Sequence, residues 1–308
     1  MMGKRVGDPE DRAIQLRSAL YIPGYKEDWI RKSPQYGSDA LILDLEDSVP
    51  DREKLNARSL ISKLVSDLGD EGLIILVRVN GFDSGLTEGD VRAVVKRGLY
   101  GIILPMVRGS REVIAVDKMI SEAECEGNIS IGSILLDPGL ETAAGIRSAY
   151  EIAISSDRIA HMGVSCGKDG DLARDVGYRW TPIGAETLYL RSRVLLDSRA
   201  ASIPFPMTGL WQDLKDIAGL EKFALQSRNL GYTGMHIIHP SHVSVVNRAF
   251  SPTREEIMEW QGLLEAIETA RKAGNAAINY RGVMVDTAHE TTAINMLSRA
   301  QAMGLVSE

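Results

Sequence analysis

Polar residues able to do acid, metal or anion chemistry recur in this chain directly after short apolar runs. The first cluster is Asp44-Leu45-Glu46-Asp47, and the second is Arg78-Val79-Asn80 at the end of a Leu/Ile/Val run. Two more follow: Asp137-Pro138-Gly139-Leu140-Glu141, and Ser165-Cys166-Gly167-Lys168-Asp169-Gly170-Asp171. His236 and His239 follow a last run. Acids beside one arginine suit a hard divalent cation, which takes one or two protein carboxylates plus water and substrate oxygens, next to a group that stabilises an anion. Each cluster also has a plainer reading. Asp44, Glu46 and Asp47 could cap the following helix, Arg78 could be a buried ion-pair partner, and Glu141 could answer a helix dipole. The five histidines share no metal-ligand spacing, and Cys166 has no base beside it and reads as a packing residue.

What unites these clusters is the kind of element that carries them. The runs Ser18–Ile22, Ala40–Leu43, Leu73–Val79, Gly101–Leu104, Ile129–Leu136, Ile159–Val164, Ser202–Phe205 and Met235–Ile238 are nearly continuous in apolar residues, as in strands buried on both faces. Amphipathic stretches separate them, among them Asp51–Ser66, Glu141–Ala153 and Ala185–Ala201. Thr253 and Glu256 predict a capping box for a helix whose Ile257, Trp260, Leu264 and Ile267 form one stripe. Eight strands alternating with helices in 308 residues predict an α/β fold, a (β/α)8 TIM barrel, over residues 1–274. A doubly wound sheet fits less well, because Pro23-Gly24-Tyr25 is no dinucleotide-binding turn. Residues 275–308 form a C-terminal helical extension, with a helix expected over Ala288–Met303. In a barrel the loops after the strands converge on one mouth, so the separate clusters would meet there.

Composition narrows the function classes. With 35 Lys and Arg against 42 Asp and Glu, the net charge of −7 offers no basic excess for nucleic-acid binding. No run approaches the roughly 20 apolar residues that span a bilayer, and the segment MMGKRVGDPEDRAIQ carries no apolar stretch of the signal-peptide type. Two cysteines without ligand spacing fit a reducing compartment, and the expectation is a cytoplasmic protein.

Several stretches resemble the HpcH/HpaI aldolase and citrate lyase β-subunit-like family, which includes malyl-CoA and citramalyl-CoA lyases. They are RSALYIPG (Arg17–Gly24), LILDLEDSVPDREKLNAR (Leu41–Arg58), VRVNGFD (Val77–Asp83), LETAAGI (Leu140–Ile146), GDLARDVG (Gly170–Gly177) and GYTGMHIIHPSHVSVVNRAFSPTREEI (Gly231–Ile257). The resemblance implies a barrel with a C-terminal extension and Mg²⁺-dependent carbon–carbon bond chemistry beside a carbonyl, commonly on a CoA thioester; Mn²⁺ is the alternative ion. It implies that Glu141 and Asp171, with Asp169 in reserve, hold the metal, and that Arg78 binds substrate and stabilises an enolate. Asp44, Glu46 and Asn80 would line the substrate site. Asp286 in RGVMVDTAH matches the acid that handles a proton at a neighbouring subunit's mouth, which implies a homo-oligomer, a trimer or hexamer. Three departures stand out: Met106 and Met235 where the family often has lysine, and Thr208 where it often has aspartate. The substrate expected is a small 3-hydroxydicarboxylic acyl-CoA such as malyl-CoA or citramalyl-CoA. The alternatives are an aldolase on free 2-oxo acids without CoA, or a metal- and CoA-binding barrel without turnover.

Overall fold

A computed structural model describes residues 13–274 and 277–306. The N-terminal segment 1–12 lies outside them, as do the first two residues of the expected extension. The chain divides into two compact units, Met1–Phe250 and Ser251–Glu308.

The first unit is the expected barrel. Its strands and helices alternate: β1 (Ser18–Pro23), α1 (Glu27–Lys32), β2 (Ala40–Asp44), α2 (Lys54–Asp70), β3 (Ile75–Arg78), α3 (Thr87–Val94), β4 (Leu99–Leu104), α4 (Ser110–Glu126) and β5 (Leu135–Leu140). Two short helices, α5 (Ala143–Arg147) and α6 (Ala149–Ala153), lead to β6 (Gly163–Ser165), α7 (Asp171–Val176), α8 (Ala185–Ala200), β7 (Met207–Gly209), α9 (Ile217–Leu230), β8 (Gly234–Ile237) and α10 (Val243–Phe250). All eight strands pair in parallel, and β8 closes on β1. Strands such as β2, buried at every position, carry an outer core against the helices, where Leu43, Ile61, Val77, Ile102 and Val116 are inaccessible to solvent. The closure needs small residues at two contacts. A Cβ on Gly163 would lie 1.4 Å from the Met207 carbonyl oxygen, and one on Gly24 would lie 2.3 Å from that of Asp44.

Register decides which residues share a level. Pro23 pairs with Asp44, Asp44 with Arg78, Arg78 with Ile103, and Ile103 with Asp137. Partners in a parallel ladder point to the same side of the sheet, so Asp44, Arg78, Ile103 and Asp137 form one layer near the C-terminal rim.

Several boundaries differ from the periodicity reading. β5 runs to Leu140, so Asp137 lies inside a strand rather than in the loop after it. β7 begins at Met207, beyond the apolar run Ser202–Phe205, because Met207 and Thr208 are the residues that pair with β6 and β8. Thr208 is therefore a buried strand residue, not part of a following loop. The helix expected over Glu141–Ala153 breaks at Ser148, whose backbone (φ −101°, ψ 17°) leaves the helical well.

The second unit holds α11 (Arg254–Lys272), a hairpin of β9 (Ile278–Tyr280) and β10 (Val283–Val285), and α12 (Thr287–Ala302). The capping box at Thr253 and Glu256 is present, with bonds of 3.1 and 2.8 Å. The division falls before α11, earlier than the expected boundary after residue 274, because α11 packs on α12. The hairpin was not expected: its strands are too short for a period-2 pattern to register.

Candidate active site

The layer at the rim is organised around Arg78. Its Nε and Nη2 each donate to the Asp44 carboxylate at 2.7 Å, a bidentate pair between neighbouring strands. Nη1 donates to Asp47 at 3.3 Å and lies 3.0 Å from Glu46 Oε2. The guanidinium also sits 4.9 Å from the centre of the Tyr21 ring. Asp44 is fixed in turn by the backbone N–H groups of Glu46 and Ser48, at 3.0 and 3.1 Å, and by the Ser48 hydroxyl. So Asp44 both caps the turn that follows β2 and anchors Arg78. Three of the five guanidinium N–H donors are hydrogen-bonded in this way, Nη1 also faces Glu46, and the second N–H of Nη2 has no partner among the described residues.

These contacts set the charges. Burial pushes the Asp44 carboxyl up, but Arg78 and the Ser48 and Glu46 donors outweigh it and hold Asp44 below its ordinary value. Burial works against the Arg78 charge as well, and Asp44 holds it well above the ordinary arginine value. Glu46 is different. Burial, opposed by Arg78 but assisted by Asp47, Glu141 and Asp44, pushes it up to about 8, so at neutral pH it is largely the neutral acid.

Glu141 follows β5, where the chain turns into α5; Thr142 caps that helix by accepting from Gly145 N at 2.9 Å. Its carboxylate accepts a 3.3 Å bond from Met106 N, and Met106 sits at φ 56°, in the left-handed region. Burial raises the Glu141 pKa; Arg78 opposes this, and the Asp171 carboxylate adds to it. Glu141 and Asp171 carry hard carboxylate oxygens, the donor type that Mg²⁺ takes, and the charge of Asp171 acts on Glu141. Among the described residues no group of three or more His, Cys, Asp and Glu side chains forms a metal site, so a cation here would rest on these two acids with water or substrate oxygens. Asp171 is the first residue of α7 and pairs with Arg174. Asp169 is exposed at φ 54°.

A narrow cleft of about 20 Å³ opens at this mouth, lined among others by Tyr21, Arg78, Asp137, Glu141, Thr208 and His236. Asn80 is not among its lining residues. β3 ends at Arg78, so strand alternation does not carry Asn80 inward; its amide instead bonds Asp90 at 2.7 Å and accepts from Lys54. Glu46 and Asn80 line a neighbouring groove with Lys54 and Arg108. Asp286, in the second unit, caps α12 and accepts from Ala288 N at 3.0 Å, with His289 completing a capping box. Of the mouth residues, Tyr21 is one that the sequence patterns did not single out, while Asp137 and His236 were marked as following apolar runs but were given no role. The signal available was an acid within a strand run, at Asp137.

Among the described residues no helix is long and apolar enough to cross a membrane. Residues 17–240 match the family model described as HpcH/HpaI aldolase/citrate lyase. The chain is 31% identical over 290 residues to the citrate lyase subunit beta of Leuconostoc mesenteroides subsp. cremoris, covering 94% of this chain and 95% of that protein. It is 30% identical over 292 residues to the (3S)-malyl-CoA thioesterase of Cereibacter sphaeroides, covering 95% and 97%. A citrate lyase from Burkholderia xenovorans LB400 shares the fold, with a TM-score of 0.81 at 19% identity over 99% of this chain and 98% of that one. So does the CitE protein of Mycobacterium tuberculosis in complex with magnesium, acetoacetate and coenzyme A, with a TM-score of 0.72 at 24% identity over 94% and 99%. The chain therefore belongs to the HpcH/HpaI aldolase/citrate lyase family and is a lyase of that family.

Proposed function

We propose that the protein is a Mg²⁺-dependent carbon–carbon lyase acting on a small 3-hydroxydicarboxylic acyl-CoA of the malyl-CoA or citramalyl-CoA type. The observation that carries this reading is the meeting of Arg78 and Glu141, from separate strands, on one cleft, with Asp171 acting on Glu141. Glu141 and Asp171 would hold the ion. When bound, it lowers the pKa of the substrate hydroxyl and neutralises the adjacent carboxylate.

In cleavage the hydroxyl proton departs and its carbon becomes a carbonyl. The electrons of the broken carbon–carbon bond pass to the thioester as an enolate, which takes up a proton to become acyl-CoA. The Arg78 guanidinium meets the negative charge on the thioester oxygen, and the Asp44 pair keeps it from turning away. Asp286 of a neighbouring subunit is the assigned proton donor, which requires a homo-oligomer.

A second cleft favours a CoA ester over a free 2-oxo acid. It covers about 420 Å³ beside β1 and β8 and shares Tyr21 with the mouth. Trp29, Tyr36 and Lys32 on its wall offer aromatic faces and a cation to a nucleotide and its phosphates. The magnesium and coenzyme A of the Mycobacterium tuberculosis complex support the same reading.

The test is Mg²⁺-dependent release of acetyl-CoA from malyl-CoA and from citramalyl-CoA. Cleavage abolished by EDTA and restored by Mg²⁺ is the expected outcome. No cleavage of either ester, with pyruvate rather than CoA esters protecting the fold thermally, overturns it.

A further inference from the structure

The barrel interior carries an acid and an imidazole at the mouth cleft, where bulky apolar side chains are usual. Asp137 of β5 is buried at 4% exposure, and among the described residues its carboxylate accepts no hydrogen bond. Its one polar contact is His236 Nε2 of β8, at 3.4 Å and without hydrogen-bond geometry. The neighbouring imidazole, His161, cannot relieve it, because His161 is spent on the Tyr100 hydroxyl at 2.9 Å and the Phe205 carbonyl at 3.2 Å. His236 is steadied by an edge-on contact with the Tyr21 ring at 5.9 Å. Both Asp137 and His236 line the mouth cleft, with Thr208 beside them. Buried polar groups without partners are costly, so an acid and an imidazole that lack partners and line a cleft are suited to completion by a ligand group.

We propose that Asp137 and His236 select the substituent on the oxo-acid half of the substrate, and that the group they take is a neutral hydroxyl. This rests on the carbon–carbon lyase reading above. The CoA chain must leave through the mouth, so the half not attached to CoA is the part that can turn inward to Asp137 and His236. A hydroxyl donates to the Asp137 carboxylate and accepts from the imidazole N–H. A methyl group leaves both unpaired, and a second carboxylate meets the charge of Asp137. Within the proposed ester class the preferred substrate therefore carries a hydroxymethyl group where citramalyl-CoA carries methyl, and citramalyl-CoA is a slower substrate. The discrimination is strong in this direction, because a site built for a hydroxyl is penalised by an analogue lacking it.

The experiment is calorimetric titration of the full chain, with Mg²⁺ present, by pyruvate, hydroxypyruvate and oxaloacetate. Hydroxypyruvate is expected to bind at least about tenfold more tightly than either, the margin of one hydrogen bond to a charged group. In His236→Leu, and in the near-isosteric Asp137→Asn if the first variant folds poorly, the margin over pyruvate should fall to about twofold or less while Mg²⁺ affinity is kept. Equal binding of pyruvate and hydroxypyruvate by the wild type, or a margin that survives both substitutions, overturns the assignment. The two readings fail separately. A hydroxyl preference without thioester cleavage removes the proposed reaction alone, whereas cleavage of malyl-CoA or citramalyl-CoA without the preference removes the selector alone.

Discussion

Arg78 is held to Asp44 by two parallel hydrogen bonds of 2.7 Å between side chains on adjacent strands, both almost fully buried. A lysine at this position keeps the charge but cannot reproduce the fork. Arg78→Lys should lower kcat about 10²–10³-fold, the effect of removing one preorganised donor to a developing oxyanion, with a much smaller change in KM. Arg78→Ala should also destabilise the fold by about 3–5 kcal/mol, because it strands the buried Asp44 carboxylate. Steady-state kinetics and urea unfolding separate the two effects; a lysine variant with wild-type kcat would remove Arg78 from the chemistry.

Glu46 gives the site a pH signature. Its pKa is raised from about 4.5 unfolded to about 8 folded, so between these values the native state binds more protons than the unfolded state. The stability this contributes is complete below about pH 4.5 and is lost as pH rises through about 8. Glu46→Gln cannot ionise, so its melting temperature relative to wild type should rise progressively from pH 5 to 9. A difference that stays flat over that range contradicts the buried neutral acid.

Glu141 should couple metal binding to protons. Its pKa is raised, chiefly by burial and further by Asp171, and a carboxylate must lose its proton to ligate. Mg²⁺ affinity should therefore weaken as pH falls through the raised pKa of Glu141. Glu141→Gln and Asp171→Asn should each weaken it by about tenfold or more. Isothermal titration with Mg²⁺ alone measures both effects; Asp171→Asn at wild-type affinity would shift attention to Asp169.

Arg158 ties the start of β5 to α4. It is 4% exposed, pairs bidentately with the fully buried Glu124 at 2.9 and 2.6 Å, and donates to the Ile134 carbonyl at 2.8 Å. Arg158→Met leaves Glu124 buried without its cation and should cost about 3–5 kcal/mol in urea unfolding. Because β5 carries Asp137 and leads into Glu141, activity should fall along with stability.

The proposed proton donor is testable by mixing. Asp286→Asn and Arg78→Lys proteins, each nearly inactive alone, should recover activity when co-assembled if Asp286 serves a neighbouring subunit's mouth. Mixed oligomers without recovery would place both residues' roles within one chain. Asp286→Asn should keep the cap of α12, because asparagine caps a helix as well as aspartate does, so its melting temperature should stay near that of the wild type while activity is lost.

The barrel was legible in the amino-acid order because parallel strands buried on both faces leave unbroken apolar runs, and the run before Asp44 and the one holding Arg78 became strands ending at those residues. The place of Arg78 and Glu141 at the mouth was also legible, since charged residues at the ends of such runs have few positions other than the mouth. What chain order could not supply was register and side-chain direction. Asn80 follows the strand rather than continuing its pleat, so it turns to Asp90. Asp137 looked like a loop residue, yet the pairing of Ile103 with Asp137 keeps it inside β5 and aimed at His236. Hydrophobic periodicity records whether a position is buried, a property each residue carries by itself. Which buried groups meet depends on how eight strands are staggered around a closed sheet, and that is settled only when distant segments pair.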